Sequence, residues 1–336
     1  MKRSTFLRGA ASLAAVALLA TGCGSSGSSG SSSGGASLQQ VRIGYIADYN
    51  GAALLAVAEQ QDYWKKAGLD PKFSVFTNGP LQIQAMGTGD LDVGYIGSGA
   101  MWLPASGKAE IWAINSVSNA DRIIAKAGIN SLKDLRGKKV GVPAGTSGDL
   151  LLNMALAKEG MSKNDIEVVP MDPSTAVSAF GAGQIEGAAL WYPLIDTLKK
   201  KVPDLKELVG NKDFMPDQTF PSAFVAQKGL AAKDPKLAAA VVSVIKQAND
   251  YRKANQEETI AATATYLKVD TSTLKGQADV ATIFDSAELE KLTKNGTVDE
   301  WLNGLQEQFV TVGTVKTITD AKEFYASKNY LDAPKG

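Results

Sequence analysis

The sequence feature that most limits the fold is a repeated alternation of short β-like segments with amphipathic helical segments. Strands are predicted over 41–47, 73–76, 91–96, 111–116, 122–125, 139–142, 167–169 and 185–190, and helices over 52–66, 80–86, 147–158 and 174–180. This alternation is typical of an α/β fold with mostly parallel sheets and helices on both faces. From about Ala231 the pattern becomes mostly helical, which predicts a helical C-terminal part.

The length of the folded part of the chain predicts two lobes. Roughly 300 residues are expected to fold, and a single hydrophobic core stops growing at about 250–300 residues. In the simplest arrangement the chain begins lobe 1, builds lobe 2 and returns, which assigns 38–118 and 224–336 to lobe 1 and 119–223 to lobe 2. Since open α/β sheets bind ligands beside the carboxyl ends of their strands, the cleft between the lobes is the expected ligand site.

The N-terminal region predicts export. Lys2, Arg3 and Arg8 precede an apolar stretch over 10–20, which is typical of a secretory signal peptide, here residues 1–22. The apolar stretch is shorter than the roughly 20 residues of a transmembrane helix. The general secretory route is favoured over the twin-arginine route.

Cys23 is the predicted lipidation site. It is the only cysteine of the chain, and the segment before it resembles a bacterial lipobox. Residues 23–37 then form a Gly/Ser-rich run, which is typical of a flexible tether. We expect an exported protein, anchored by lipid to the outer face of the cell membrane or in a Gram-negative periplasm. A plain secretory signal with an unrelated cysteine is the alternative.

Composition excludes several classes of function. The 336 residues include no histidine, so a histidine base and a histidine-bound metal are both ruled out. Removing the signal peptide takes away three of the 35 basic residues and leaves 35 acidic ones, a net charge of about −3. A nucleic-acid partner is therefore not expected. We predict a monomer without enzymatic activity, cofactor or metal.

Four loops after predicted strands hold the candidate ligand contacts. These are Asp48, Tyr49 and Asn50; Ser98 and Gly99; Thr146, Ser147 and Asp149; and Trp191. Small residues let the backbone approach a ligand, and the N–H groups at a helix start favour an anion. With the hydroxyl groups of Ser98, Thr146 and Ser147 as further donors, one loop from each lobe is predicted to hold an oxyanion.

Two acidic residues in these loops conflict with a simple anion. A carboxylate of Asp48 or Asp149 that faced the cleft would repel an anionic ligand. Either both side chains act as helix caps and point away from the ligand, or the ligand also carries a cation. The sequence leaves both alternatives open, and it contains no nucleotide-binding loop.

Three segments resemble the nitrate/sulfonate/taurine family of ABC-importer solute-binding proteins. They include GTGDLDVGYI at 87–96, DLRGKKVGVP at 134–143, and GQIEGA at 183–188 with WYP at 191–193. The resemblance implies a two-lobed periplasmic-binding-protein fold (type II), closure around a small solute, and delivery to a permease driven by an ATPase. It places the ligand shell at 48–50, 98–99, 146–147 and Trp191.

The resemblance also implies a substrate class. We expect a small organic anion or zwitterion, such as an alkanesulfonate or taurine. The alternatives are nitrate, bicarbonate or a thiamine-precursor-like solute, and a sensory instead of a transport role. A pyrimidine-precursor synthase of similar architecture depends on a histidine and on a cysteine-rich motif, and this chain has neither.

Overall fold

The computed structural model describes residues 37–335. Its strands are β1 (Gln39–Ile46), β2 (Leu69–Phe76), β3 (Val93–Ile96), β4 (Ala109–Ser118), β5 (Asp121–Ala125), β6 (Lys139–Val142), β7 (Glu167–Pro170), β8 (Gly187–Trp191), β9 (Lys206–Gly210), β10 (Pro221–Gln227) and β11 (Ala281–Ile283). The predicted signal peptide, Cys23 and the tether up to residue 36 lie outside the described residues.

The helices form the layers around these strands. They are α1 (Tyr49–Gln60), α2 (Tyr63–Lys66), α3 (Gly79–Thr88), α4 (Trp102–Ala105), α5 (Ser147–Lys158), α6 (Pro173–Gly181), α7 (Leu194–Lys201), α8 (Leu230–Lys233), α9 (Pro235–Ala254), α10 (Gln256–Leu267), α11 (Thr271–Ala278), α12 (Ser286–Lys294), α13 (Thr297–Thr311) and α14 (Ser327–Asp332). Short 3-10 helices span Ser98–Ala100, Leu132–Leu135, Lys163–Asp165, Asn211–Phe214 and Ala321–Glu323. Within 37–335, no helix is both long and apolar enough to cross a membrane.

The strands form two separate sheets. Sheet 1 has the order β11-β4-β10-β3-β1-β2, and sheet 2 has the order β7-β6-β8-β5-β9. We call the part of the chain built on sheet 1 lobe 1 and the part built on sheet 2 lobe 2. The predicted α/β class, with two sheets flanked by helices and a mainly helical C-terminal part, is confirmed.

Both sheets combine parallel and antiparallel pairs. In lobe 1, β1 pairs in parallel with β2 and β3, β10 lies antiparallel between β3 and β4, and the edge strand β11 is antiparallel to β4. In lobe 2, β6 pairs in parallel with β7 and β8, and β5 lies antiparallel between β8 and β9. The sheets are therefore more mixed than predicted. The reason is that β5 and β10 each come directly after the chain has changed sheets, so no crossover helix on their own sheet sets their direction.

The chain passes between the sheets twice. The first passage, over residues 119–120, joins β4 to β5, and the second, over 211–220, joins β9 to β10. Strand β10 pairs with β4 from Pro221 onward, so sheet 1 also includes residues 221–223. The predicted limits of the complete lobes remain a prediction.

The single helix predicted over 52–66 is wrong. The chain forms α1 and α2 instead, because Asp62 has a left-handed backbone (φ 57°) that interrupts the helical hydrogen bonds. Helix α1 also begins earlier than predicted, since the side chain of Asp48 caps it by accepting a hydrogen bond from Gly51 N. Residues 49–58 are all buried, so this helix has no polar face that would reveal its limits in the sequence.

A candidate binding site between the two lobes

A cavity of about 540 Å³, solvent-open space included, lies between the two lobes. On lobe 1 it is bordered by the carboxyl ends of β1 and β3 and by the start of β10. On lobe 2 it is bordered by the end of β8 and the start of β5, where Trp191 is paired with Asp121. Six of the nine predicted contact residues line it, namely Asp48, Asn50, Ser98, Thr146, Ser147 and Trp191.

Two predicted contact residues point elsewhere. Tyr49 is buried in a separate apolar cluster with Ile260 and Leu274. Asp149 accepts a hydrogen bond from Gly145 N at 2.9 Å and forms an ion pair with Lys163 at 2.5 Å. The carboxylate of Asp149 thus anchors the first turn of α5 and is neutralised by a lysine outside the cavity.

The ninth predicted residue, Gly99, lies at the contact between the lobes. A Cβ atom on Gly99 would lie 2.0 Å from the carbonyl carbon of Thr146 and 2.3 Å from the amide nitrogen of Ser147. Real Cβ atoms do not approach other atoms so closely, so a larger residue would force the loops apart. Glycine at this position permits the closed arrangement of the two loops.

Sequence reasoning missed Asp121, the cavity residue that changes the charge of the site most. It is the first residue of β5 and is 1% exposed. The predicted contacts all lie in loops that follow predicted strands. Because β5 runs antiparallel, its first residue lies at the same edge as the carboxyl end of β8. Tyr95, Tyr192 and Ser222 also line the cavity and were not among the predicted contacts.

Asp48 and Asp121 are both buried carboxylates that face the cavity. Asp48 is 8% exposed, and an oxygen of its carboxylate accepts a hydrogen bond from Gly51 N at 2.8 Å. Burial and, to a smaller extent, the negative charge of Asp121 raise the pKa of Asp48 to about 7, against the lowering effect of the Gly51 N–H group. Burial likewise raises the pKa of Asp121 to about 6, although a hydrogen bond from the Ser147 hydroxyl group lowers it.

No positive charge balances these two acids within the cavity. Its lining, as far as the described residues form it, contains neither lysine nor arginine. Arg122, next to Asp121 in the sequence, donates from Nη1 to the backbone oxygen of Asp121 at 2.7 Å and from Nε to Glu207 at 2.8 Å. Its charge lowers the pKa of Asp121 against the larger effect of burial, but it forms no ion pair with the Asp121 carboxylate. Among residues 37–335 no group of three or more acidic residues, with or without cysteine, is arranged to hold a metal ion.

The predicted hydroxyl donors to an oxyanion are mostly occupied. The Thr146 hydroxyl group donates to the Pro143 carbonyl oxygen at 2.6 Å, and the Ser147 hydroxyl group donates to Asp121. Both donors thus support lobe 2 and are not free for a solute. Ser98 differs, because its Oγ is buried and has no hydrogen-bond partner among the described residues.

Similarity to known proteins assigns the chain to a family. The sequence model described as NMT1/THI5 like matches residues 50–259. The chain belongs to the NMT1/THI5-like family.

The chain is also similar to individual proteins and to solved structures. A protein of Brucella abortus (strain 2308) named only as a binding protein is 52% identical over 285 residues, 85% of this chain and 89% of that protein. The taurine-binding periplasmic protein of Escherichia coli (strain K12) is 29% identical over 169 residues, 48% of this chain and 53% of that protein. The crystal structure of the periplasmic aliphatic sulphonate binding protein SsuA from Escherichia coli shares the fold, with a TM-score of 0.64, 21% identity, and coverage of 85% of this chain and 91% of that one.

Membership of the NMT1/THI5-like family confirms the predicted class of protein. The chain has the periplasmic-binding-protein fold, and it is a solute-binding protein of the ABC-import type, not an enzyme. The names of its relatives differ in the solute, so the solute has to be inferred from this cavity.

The close contact of Gly99 with Thr146 and Ser147 leads to a first prediction. Gly99→Ala is expected to weaken binding of any solute held between the lobes at least tenfold, about 1.4 kcal/mol, because the added methyl group prevents closure. The thermal unfolding temperature without solute is expected to change little. Gly87→Ala, where a Cβ meets nothing within 4 Å, is the control in calorimetric titrations. Equal affinity of wild type and Gly99→Ala would contradict the role of this contact.

The raised pKa of Asp48 leads to a second prediction, which concerns the pH dependence of stability. A carboxylate with a folded-state pKa above its unfolded value stabilises the fold at low pH, and this stability is lost as pH rises through the folded pKa. Between about pH 4 and pH 7 the solute-free protein therefore loses stability through Asp48. Asp48→Asn keeps the helix cap but not the charge, and should raise the free energy of unfolding at pH 8 by on the order of 2–4 kcal/mol.

Thermal and urea unfolding of solute-free protein at pH 5 and pH 8 test this expectation. Asp234→Asn is the matched control, since Asp234 caps α9 away from the cavity, is only half-buried, and has its pKa lowered by the Leu237 N–H group. The control should not be stabilised at pH 8. An Asp48→Asn variant that is less stable than wild type at pH 8 would show that the Asp48 charge is well compensated.

Proposed function

We propose that this protein is the solute-binding subunit of an ABC importer and that it captures a small zwitterionic organic solute of the amino-sulfonate (taurine) class. The observation that carries the proposal is the meeting of Asp48 and Asp121 in the same cavity as the start of α5. A zwitterion resolves the conflict between acidic residues and an anion site, because its two charged groups need opposite surroundings.

The anionic group of such a solute has a suitable position near the start of α5. This helix begins at Ser147 and spans 12 residues, and the amide groups at a helix start attract an anion. The unpartnered hydroxyl group of Ser98 lies across the cavity on lobe 1 and is 1% exposed. A sulfonate oxygen would give this hydroxyl group the hydrogen-bond partner that it lacks among the described residues.

Apolar parts of the solute would meet an aromatic wall. Tyr95 lines the cavity from lobe 1, and Trp191 and Tyr192 line it from lobe 2. Such surfaces are usual in small-molecule sites, where a few polar groups fix the orientation. The absence of basic residues from the described lining speaks against nitrate or bicarbonate, which offer only negative charge.

Calorimetric titration with taurine tests the proposal. We expect a dissociation constant below about 1 mM, corresponding to about −4 kcal/mol or better. Ser98→Ala should weaken taurine binding about tenfold or more, since a hydrogen bond to a charged group contributes about 1.5–3 kcal/mol. Its solute-free stability should be equal to or above that of wild type, because an unpartnered buried hydroxyl group is removed.

Ser174→Ala, at an exposed position near the start of α6, is the control for this titration. If neither taurine nor a simple alkanesulfonate binds to the wild type, the proposed substrate class is wrong. If both bind but Ser98→Ala binds them unchanged, the proposed position of the anionic group is wrong.

The location and partners that we propose follow from the N-terminal sequence and the family. The mature chain would begin at Cys23, be held by lipid on the outer face of the cell membrane, act as a monomer, and deliver solute to a permease driven by an ATPase. Mass spectrometry of the mature protein is expected to find a lipid-modified N-terminal Cys23, and Cys23→Ser should release the protein from the membrane fraction. An unmodified mature N-terminus at another residue would contradict the lipid anchor.

A further inference from the structure

We propose that a positively charged nitrogen is the essential recognition element of the solute, and that Asp48 of lobe 1 and Asp121 of lobe 2 together form its subsite. This inference rests on the proposed function, because it names the group that the same cavity recognises. It goes further in predicting that an alkanesulfonate without an amine is a poor ligand.

The first step is the charge of the closed cavity. Both carboxylates are at most 8% exposed, and neither has a lysine or arginine partner among the described hydrogen bonds and ion pairs. A buried carboxylate is costly unless it is protonated or paired with a cation. A solute with an ammonium group would provide that cation, whereas a purely anionic solute would add a third negative charge.

The second step is independent of the carboxylates. The Ser98 hydroxyl group is 1% exposed, lines the same cavity and has no hydrogen-bond partner among residues 37–335. Buried hydroxyl groups in native proteins nearly always have a hydrogen-bond partner. The unpartnered Ser98 hydroxyl group therefore indicates that a ligand atom binds here. The rings of Tyr95, Tyr192 and Trp191 border the cavity as well, and aromatic faces attract a cation.

The third step concerns closure of the lobes. Asp48 follows β1 in sheet 1, and Asp121 begins β5 in sheet 2. Closure of the lobes brings the negative charges of Asp48 and Asp121 together, and their repulsion opposes closure of the solute-free protein. A cation between them reverses this effect, so it binds the closed form better than the open one, which is the condition for a solute to shift the equilibrium. An anion at this position would favour the open form.

The fourth step is the direction of the pH dependence. The groups around the pair are Tyr95 and Tyr192, whose pKa values are raised by burial, and Arg122, which is bound to Glu207 and to the backbone oxygen of Asp121 and lowers the pKa of Asp121. Ser147 and Asn211, which contact Asp121, do not titrate.

Two further charges lie behind these groups. Arg252 on α9 is fully buried, and burial lowers its pKa to about 10, so it stays charged near neutral pH. Lys199 on α7 is bound to Glu207 and to the Tyr192 hydroxyl group. The chain has no histidine. Between pH 5 and pH 8 the charge of the cavity therefore changes through Asp48 and Asp121, and an amine should bind more tightly as pH rises.

Calorimetric titrations with three probes test the inference. The probes are taurine (ammonium and sulfonate), ethanesulfonate (sulfonate alone) and ethylammonium (ammonium alone), each at pH 5.5 and pH 8. With wild type we expect taurine to bind at least tenfold more tightly than ethanesulfonate, and its affinity to increase several-fold from pH 5.5 to pH 8.

Variants then separate the two carboxylates from general effects on the fold. Asp48→Asn and Asp121→Asn should each weaken taurine binding at least tenfold and flatten its pH dependence, without weakening ethanesulfonate. Both asparagines can still accept the hydrogen bonds from Gly51 and Ser147. Asp149→Asn is the matched control, because Asp149 is equally buried but is paired with Lys163 outside the cavity. If a variant fails to fold, the wild-type probe series and its pH profile decide.

The outcomes separate this inference from the proposed function. If ethanesulfonate binds as tightly as taurine, or if taurine binding weakens as pH rises, the ammonium subsite is wrong while a sulfonate solute remains supported. If ethylammonium binds but neither sulfonate does, the subsite is supported and the amino-sulfonate class is wrong. If no probe binds at either pH, both proposals are overturned.

Discussion

The burial of two carboxylates in one cavity between the lobes is the constraint on which the site depends. Asp48 and Asp121 are held there without a basic partner in the described lining, and burial raises the pKa of each. An arrangement of this kind lowers the stability of the solute-free protein, since a desolvated charge is unfavourable. Its retention in a binding protein is understandable when the solute supplies the missing charge.

Local hydrogen bonds hold each carboxylate in place. Asp48 is fixed because it caps α1, and Asp121 is fixed because it accepts a hydrogen bond from Ser147 at the start of α5. The Thr146 hydroxyl group fastens the preceding turn to the Pro143 carbonyl oxygen. The predicted site residues thus act mainly as supports for the two acids, and Ser98 alone among the predicted hydroxyl groups remains without a partner.

A buried polar network backs the lobe 1 wall of the cavity. The amide nitrogen of the Asn115 side chain donates to the backbone oxygen of Asn50 at 3.0 Å, and the hydroxyl groups of Ser116 and Ser222 lie 3.0 Å apart. Arg252 donates to the backbone oxygen of Asn115 at 2.6 Å from behind this wall. Because buried polar groups need partners with definite geometry, this network fixes the surface against which a solute is held.

The local pattern of the sequence was sufficient for most elements and for predicting six residues that line the cavity. Strand β6 and helix α5 have the predicted limits, since an apolar strand, a Gly/Ser/Thr turn and a helix follow one another there. The helix over 52–66 was wrong because α1 is buried on all sides and so lacks the polar face on which such predictions depend. Asp149 has the local features of a ligand residue, but Lys163 binds its carboxylate from a later turn of the chain.

The sequence by itself determined the α/β class, the family and the loops that follow β1, β3, β6 and β8, because these depend on local periodicity and short motifs. Only the tertiary structure decided the charge of the site. Asp121 reaches the cavity because β5 enters sheet 2 from the other lobe and runs antiparallel, which brings the first residue of this strand to the edge where the ends of its neighbours lie. A local sequence pattern does not predict the direction of a strand in a sheet, since that direction is set by pairing with segments far away in the chain.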